Sequence, residues 1–243
     1  MWSDNLRCIY YIALKDMKAY YLKPPAISWG ILFPVAIILA FYLRNPQNFQ
    51  ELLPGLLAMT ILFSTTAMEA VVINWELRSG SFERLLLAPI TLPALLLGKI
   101  LGGATFGLII TGVVALGSIF SLGLNQLNLP FLILTLLLSL IAFSTLGALV
   151  SVSVKEVFEA QTLANFIRFP MIFLCGVFIP VSAMPVALRY IAYVLPLTYT
   201  VNGFHLSLGV AQNWNIALDL LALAAFALVL FFPAVRMLAR RFV

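Results

Sequence analysis

Apolar runs long enough to cross a bilayer recur along this chain, and they constrain it more than any other feature. A helical crossing takes about 20 predominantly apolar residues. Runs of that kind are Ile27–Leu43, Leu52–Trp75, Gly98–Leu122, Pro130–Val154, Thr162–Ile179 and Ile216–Ala234. Six crossings use about half of the 243 residues, which leaves no room for a large extramembrane domain. The chain is 63% hydrophobic and 9% charged, against about 25% charged residues in soluble domains. A soluble globular fold would face water mostly with hydrocarbon, and a disordered chain would leave too much apolar surface unburied. The expected fold is therefore all-α and integral to the membrane, with six transmembrane helices and one domain over residues 1–243.

The charges set the expected orientation. The net charge is +5, and in a membrane protein a basic balance reads as topology rather than nucleic-acid binding. Arg7, Lys15, Lys18 and Lys23 precede the first run, and Arg78, Arg84 and Lys99 surround the second-to-third connection. Lys155 and Arg168 belong to the fourth-to-fifth region, and Arg236, Arg240 and Arg241 follow the sixth run. Only Arg44 and Arg189 fall on the other side, so twelve of the fourteen Lys and Arg residues share one side. That asymmetry places both termini in the cytoplasm.

Two segments do not read as crossings. Leu6, Ile9, Tyr10, Ala13 and Met17 recur at helical spacing, with Lys15 and Lys18 off that stripe. This fits an amphipathic helix in the membrane interface over residues 1–24, ended by Pro24-Pro25. Residues 180–214 are apolar but broken by Pro180, Pro185 and Pro196, and the unbroken piece Val186–Leu195 is too short to span. It is expected to form a re-entrant cap on the outer face, where protein satisfies its irregular backbone.

The cytoplasmic loop at residues 76–97 carries the clearest local signals. Gly80 allows a turn, Ser81 is a candidate helix cap, and Glu83 and Arg84 occupy the first helical turn. Phe82, Leu85 and Leu86 form one apolar face before Pro89 stops the helix. Such a helix is either an ordinary interfacial element or a plug for a partner's groove. Leu97-Gly98-Lys99 resembles the end of a phosphate-binding loop, but Pro93 and Ile100 stand where that loop needs Gly and Ser or Thr. Energy from a nucleotide must therefore enter through another subunit.

Small residues open the third run (Gly98, Gly102, Gly103, Gly107) and mark the fourth (Ser144, Gly147, Ala148, Ser151). Such faces let helices approach closely, and the preferred reading is packing inside the bundle rather than dimerisation. Glu69 and Arg168 are the deepest ionisable residues, each about two turns from the cytoplasmic end of its run. A charge there costs roughly 2.5–3.5 kcal/mol on the insertion scale and marks a pair or a pathway unless it snorkels outward. Their similar depth leads to the expectation of a Glu69–Arg168 pair. Asp219 is expected to snorkel from the outer end of the sixth run, and His205 to be a satisfied residue of the outer cap.

Taken in order, these features resemble the permeases of ATP-binding-cassette type-2 exporters, and are similar to those of daunorubicin-type drug efflux and nodulation lipo-oligosaccharide export. The likeness covers nearly the whole chain. It rests on the amphipathic first helix and on Glu76, Arg78, Gly80, Phe82-Glu83, Leu85-Leu86 and Ala88-Pro89, followed by Leu97-Gly98-Lys99. Its last part is the outer segment Gly176, Phe178, Pro180, Met184-Pro185 and Leu195-Pro196-Leu197-Thr198-Tyr199. The resemblance implies a half-transporter in the inner membrane of a prokaryote, paired with a second copy and two cytoplasmic ATPase subunits. The partner would hold ATP and Mg, and the permease no catalytic residue and no metal. It implies a coupling helix at Gly80, Ser81, Phe82, Glu83, Arg84, Leu85 and Leu86, with Phe82 as the buried anchor in the ATPase. It also implies an outer gate at Phe178, Pro180, Pro185, Pro196 and Tyr199. The expected substrate is hydrophobic or amphiphilic: a drug, a lipid or a lipid-linked glycan.

Two other classes compete. An ion-coupled secondary transporter needs a relay of intramembrane acids and an inverted repeat; only Glu69 is deep, and no repeat is found. A membrane-embedded enzyme needs His, Asp or Glu clustered at one depth, and His205 is the single histidine.

Overall fold

The second apolar run folds into the helix around which the others pack. The computed structural model describes residues 2–44, 49–122, 127–210 and 215–242, with the backbone alone at 2–4, 24–33 and 119–122. The expected outer loop at 123–126 and the end of the outer segment at 211–214 lie outside the described residues. Among the described residues all regular structure is helical. α1 (Trp2–Asp16) runs on into a π-helical turn (Met17–Tyr21), and α2 (Pro24–Arg44) and α3 (Phe49–Arg78) follow. Next come α4 (Ser81–Leu86), α5 (Leu92–Leu122), α6 (Leu129–Ser153) and α7 (Val157–Leu174). A 3₁₀ turn (Val181–Ala183), α8 (Val186–Tyr193), α9 (Pro196–Ser207) and α10 (Ile216–Ala239) complete the order.

α3 is buried on nearly every face, by α2, α5, α6, α7 and α9. Its buried hydroxyl residues are satisfied within the helix. Thr60 and Thr65 each donate to the carbonyl four residues back at 2.8 Å, which leaves no donor facing hydrocarbon. The glycines expected to allow close packing do so inside the bundle. A Cβ at Gly103 would sit 2.1 Å from Oε1 of Glu69, and one at Gly98 would sit 3.1 Å from Ile12. α5 thereby closes over α3 on one side and receives α1 on the other.

Among the described residues four helices are long and apolar enough to cross a membrane: Phe49–Arg78, Leu92–Ser118, Leu129–Ser153 and Ile216–Ala239. α2 and α7 are the remaining two expected crossings. α7 begins at Val157 and ends at Leu174, earlier than its apolar run, because Gly176 turns the chain at φ +85°.

On α1, Leu6 and Tyr10 of the expected interfacial stripe are 65% and 63% exposed. Ile12 and Asp16, both buried, face α5. The helix has a protein-facing stripe that includes a charge, and a separate exposed apolar stripe; periodicity alone merges the two. In the proline-broken segment, α8 covers Val186–Tyr193 of the short piece expected over Val186–Leu195. Leu195 is extended (φ −102°, ψ 133°), as a residue before proline prefers, so the chain breaks there and starts α9 at Pro196.

Candidate functional site

The helix between the second and third runs is welded to the bundle. Gly80 takes φ +70°, a left-handed turn that a side chain disfavours, and this sets α4 directly against the end of α3. Gly80 itself occupies the cap position; Ser81 is inside the helix, with its hydroxyl 2.8 Å from that of Ser79. Phe82 is fully buried and stacks on Phe242 at 5.7 Å. It shares a core with Ile73, Leu95, Leu96 and Leu238, against which Leu85 and Leu86 also pack. The expectation that Phe82 is the exposed anchor for a partner is therefore corrected. A helix joined to α3 by so tight a turn covers its apolar face with its own bundle. The residues left outward are Glu83, Arg84, Leu87, Ala88 and Pro89, and Leu87 is 87% exposed.

Beneath α4 lies a cluster of charges that periodicity and motif do not reveal. Lys99, at the start of α5, donates to Asp16 at 3.0 Å and also to Glu76. Lys15 joins the same carboxylates, at 2.9 Å from Asp16. Lys99, Asp16 and Glu76 have fully buried side chains. Two ammonium groups face two carboxylates, so the cluster is neutral as a set, which is the condition for burying it. Burial works against the charge on Lys15, but Asp16 and Glu76 more than offset it and hold its ammonium above the usual lysine value. The cluster ties α1, the end of α3 and the start of α5 together at the root of the α4 turn. In the sequence Lys99 stands as a topology charge, in a failed phosphate loop and in the family resemblance, but not as a partner of Asp16 or Glu76. No local signal reveals it, because its acids lie on other helices, 83 and 23 residues away.

Glu69 and Arg168 are both buried, and among the described residues they form no ion pair. Glu69 accepts a hydrogen bond from Tyr21 at 2.8 Å, with Gly103 and Gly147 cradling its side chain. Arg168 donates from Nε to the Ala164 carbonyl at 3.1 Å, and its guanidinium lies 5.0 Å above the Phe63 ring. The two residues sit at similar depth but on faces of α3 and α7 that do not meet. Depth fixes only one of the coordinates that a pair needs.

The proline-punctuated segment after α7 is braced. Phe178 stacks on Phe41 at 5.2 Å and approaches Phe173 at 5.9 Å. Pro180 and Pro185 precede the 3₁₀ turn and α8, and Pro196 opens α9. The Tyr199 hydroxyl donates to the Tyr193 carbonyl at 2.7 Å, which clips α9 to α8. His205 is half-buried beside a pocket of about 180 Å³ that Pro180, Tyr193 and Asn202 also line. Asp219 does not snorkel: it is 2% exposed and hydrogen-bonded to Asn202. Among the described residues no group of three or more His, Cys, Asp or Glu is arranged to hold a metal.

Comparison with known proteins places these features. A family model described as ABC-2 type transporter matches residues 7–208. The inner membrane transport permease YadH of Escherichia coli is 25% identical over 81% of this chain and 82% of its own length. The probable multidrug ABC transporter permease YbhS of the same species is 29% identical over 76% of this chain and 50% of its own length. Nodulation protein J of Bradyrhizobium diazoefficiens is 22% identical over 99% of this chain and 92% of its own length.

Proposed function

The chain belongs to the ABC-2 type transporter family, and from that membership we propose that it is the permease half of an exporter driven by a separate ATPase. α2, α3, α5, α6, α7 and α10 are the six crossings of the inner membrane, with both ends cytoplasmic. α1 lies along the inner interface, on which Leu6 and Tyr10 rest, and 180–210 caps the outer face. A second copy completes the translocation path. The cargo is hydrophobic or amphiphilic, a reading that the similarity to a probable multidrug permease supports.

The observation that carries this reading is the placement of α4. It is a short helix on the cytoplasmic side, rigidly joined to α3 and α5 by Phe82, while Glu83, Arg84, Leu87 and Pro89 point outward. A rigid knob transmits a push; a loosely held one absorbs it. ATP-driven closure of the ATPases moves α4, and the Lys99–Glu76–Asp16 cluster carries that motion to α3, α5 and α1 as one body. The partner's groove takes Leu87, not Phe82. The test is co-purification of a co-expressed cassette ATPase with the wild-type chain and with Leu87→Asp. The wild type should retain the ATPase and the variant lose it at unchanged thermal stability. A wild-type chain that retains no ATPase and transports without ATP would sink the reading.

A further inference from the structure

Arg168 is a buried cation that no carboxylate answers among the described residues. It is 1% exposed, and its Nη2 has no hydrogen-bond partner. It stands twelfth in α7, so it lies about 17 Å along the helix axis from Val157, near mid-membrane. The Nε bond to Ala164 and the Phe63 ring solvate one edge and one face of the guanidinium; neither supplies a negative charge.

Among the described residues no carboxylate is placed to supply one. Of the nine acidic residues, only Glu69 lies well inside a span, and it is held by Tyr21. Glu51, Glu159 and Asp219 stand in the first turns of their helices, and Asp16 and Glu76 belong to the Lys99 cluster. A second copy of the same chain therefore brings no carboxylate to this depth either. A cation kept uncompensated in a membrane interior is costly and marks a pathway. The aromatic surroundings give the rest of the site. Phe169 packs edge-on against Phe63, and Phe166, Phe169 and Phe173 form an exposed stripe along α7.

We propose that Arg168 receives the acidic head of an amphiphilic substrate, a phosphate or carboxylate group, while the apolar tail lies on the phenylalanine stripe of α7. In the described state Phe63 covers the guanidinium, so the site is closed; turning that ring away frees Nη2 for a charge-assisted hydrogen bond. The inference narrows the exporter reading and rests on it for the word substrate.

Binding to the chain alone, in phosphatidylcholine nanodiscs, tests it without the ATPase. Radiolabelled dodecyl phosphate is titrated against wild type, Arg168→Met and Arg168→Lys, with dodecyl maltoside and inorganic phosphate as the other arms. Arg168→Met should weaken dodecyl phosphate binding at least about tenfold, and Arg168→Lys should hold it within about threefold. Dodecyl maltoside should be indifferent to both variants. Inorganic phosphate should not displace the amphiphile; full displacement would make this a bare anion site and overturn the assignment. Equal binding by wild type and Arg168→Met would also overturn it. Arg168→Met should keep or raise the melting temperature, because it removes an uncompensated charge. A large drop would reveal a structural counter-ion and refute the proposal. Failure here with ATPase co-purification intact leaves the exporter reading standing.

Discussion

Lys99 on α5 holds its ammonium 2.9 Å from Oδ2 of Asp16, the last residue of α1, and neither side chain reaches solvent. This contact stations the N-terminal helix against the bundle at the point where its geometry changes to a π-helical turn. Removing one member of a buried ion pair leaves its partner's charge uncompensated, at about 3–5 kcal/mol. Lys99→Met should therefore lower the melting temperature of the detergent-purified chain sharply. Adding Asp16→Asn leaves Lys15 facing Glu76, a balanced pair, and should recover at least half of the loss. Thermal unfolding of both variants measures this. Additive losses would show that Lys99 and Asp16 act independently.

Phe82 is predicted to matter for the chain's own fold before it matters for any partner. Truncating a buried phenylalanine costs about 3–5 kcal/mol, and here it also removes the stack with Phe242. Phe82→Ala should lower stability without the ATPase present, whereas Leu87→Asp should not. Limited proteolysis at the α4 loop reads the first effect directly: cleavage should appear in Phe82→Ala and stay slow in Leu87→Asp. Equal protection in both variants would mean that Phe82 does not anchor the loop.

The contrast between these residues shows what a single sequence can carry. Element type was legible because apolar runs and proline breaks act locally: α6 begins at Leu129 and ends at Ser153, one residue from the run Pro130–Val154. The turn at Gly80 was legible for the same reason. Which way Phe82 faces is set by α3, α5 and the C-terminal residues together, and nothing in residues 76–97 encodes it. The partners of Glu69 and Arg168 likewise depend on the relative rotation of α3, α7 and the turn carrying Tyr21. Lys99 was hidden because its acids lie 83 and 23 residues away.

The proposed cytoplasmic placement of the α6–α7 connection rests on the charge asymmetry and is separately measurable. With Cys8 and Cys175 replaced by serine, a cysteine at Lys155 or at Tyr190 gives one exposed reporter on each expected side; Tyr190 on α8 is 71% exposed. A membrane-impermeant maleimide added to intact cells should label Tyr190→Cys. It should label Lys155→Cys only after the membrane is opened. Labelling of both from outside would reverse or break the six-crossing arrangement.

Glu69 and Gly103 make the sharpest packing prediction. A Cβ on Gly103 would meet Oε1, Cγ and Cδ of Glu69 at 2.1–2.8 Å. Gly147 leaves room for the Glu69 stem: a Cβ added at that glycine would stand 2.8 Å from the Glu69 Cβ. Gly103→Ala must therefore expel the Glu69 head from its cradle and break the bond from Tyr21, which is itself fully buried. An orphaned buried polar group costs about 1–3 kcal/mol, and overpacking adds about 1–3 kcal/mol more. Tyr21→Phe should cost only the first part. Glu69→Ala removes every atom that the new methyl would strike, so Gly103→Ala should be far milder in a Glu69→Ala background than alone. A melting-temperature double-mutant cycle measures that coupling. A coupling within about 0.5 kcal/mol of zero, the additivity of independent sites, would show that α5 can shift away from α3 at this crossing, and that the glycine is not what holds the two helices so close.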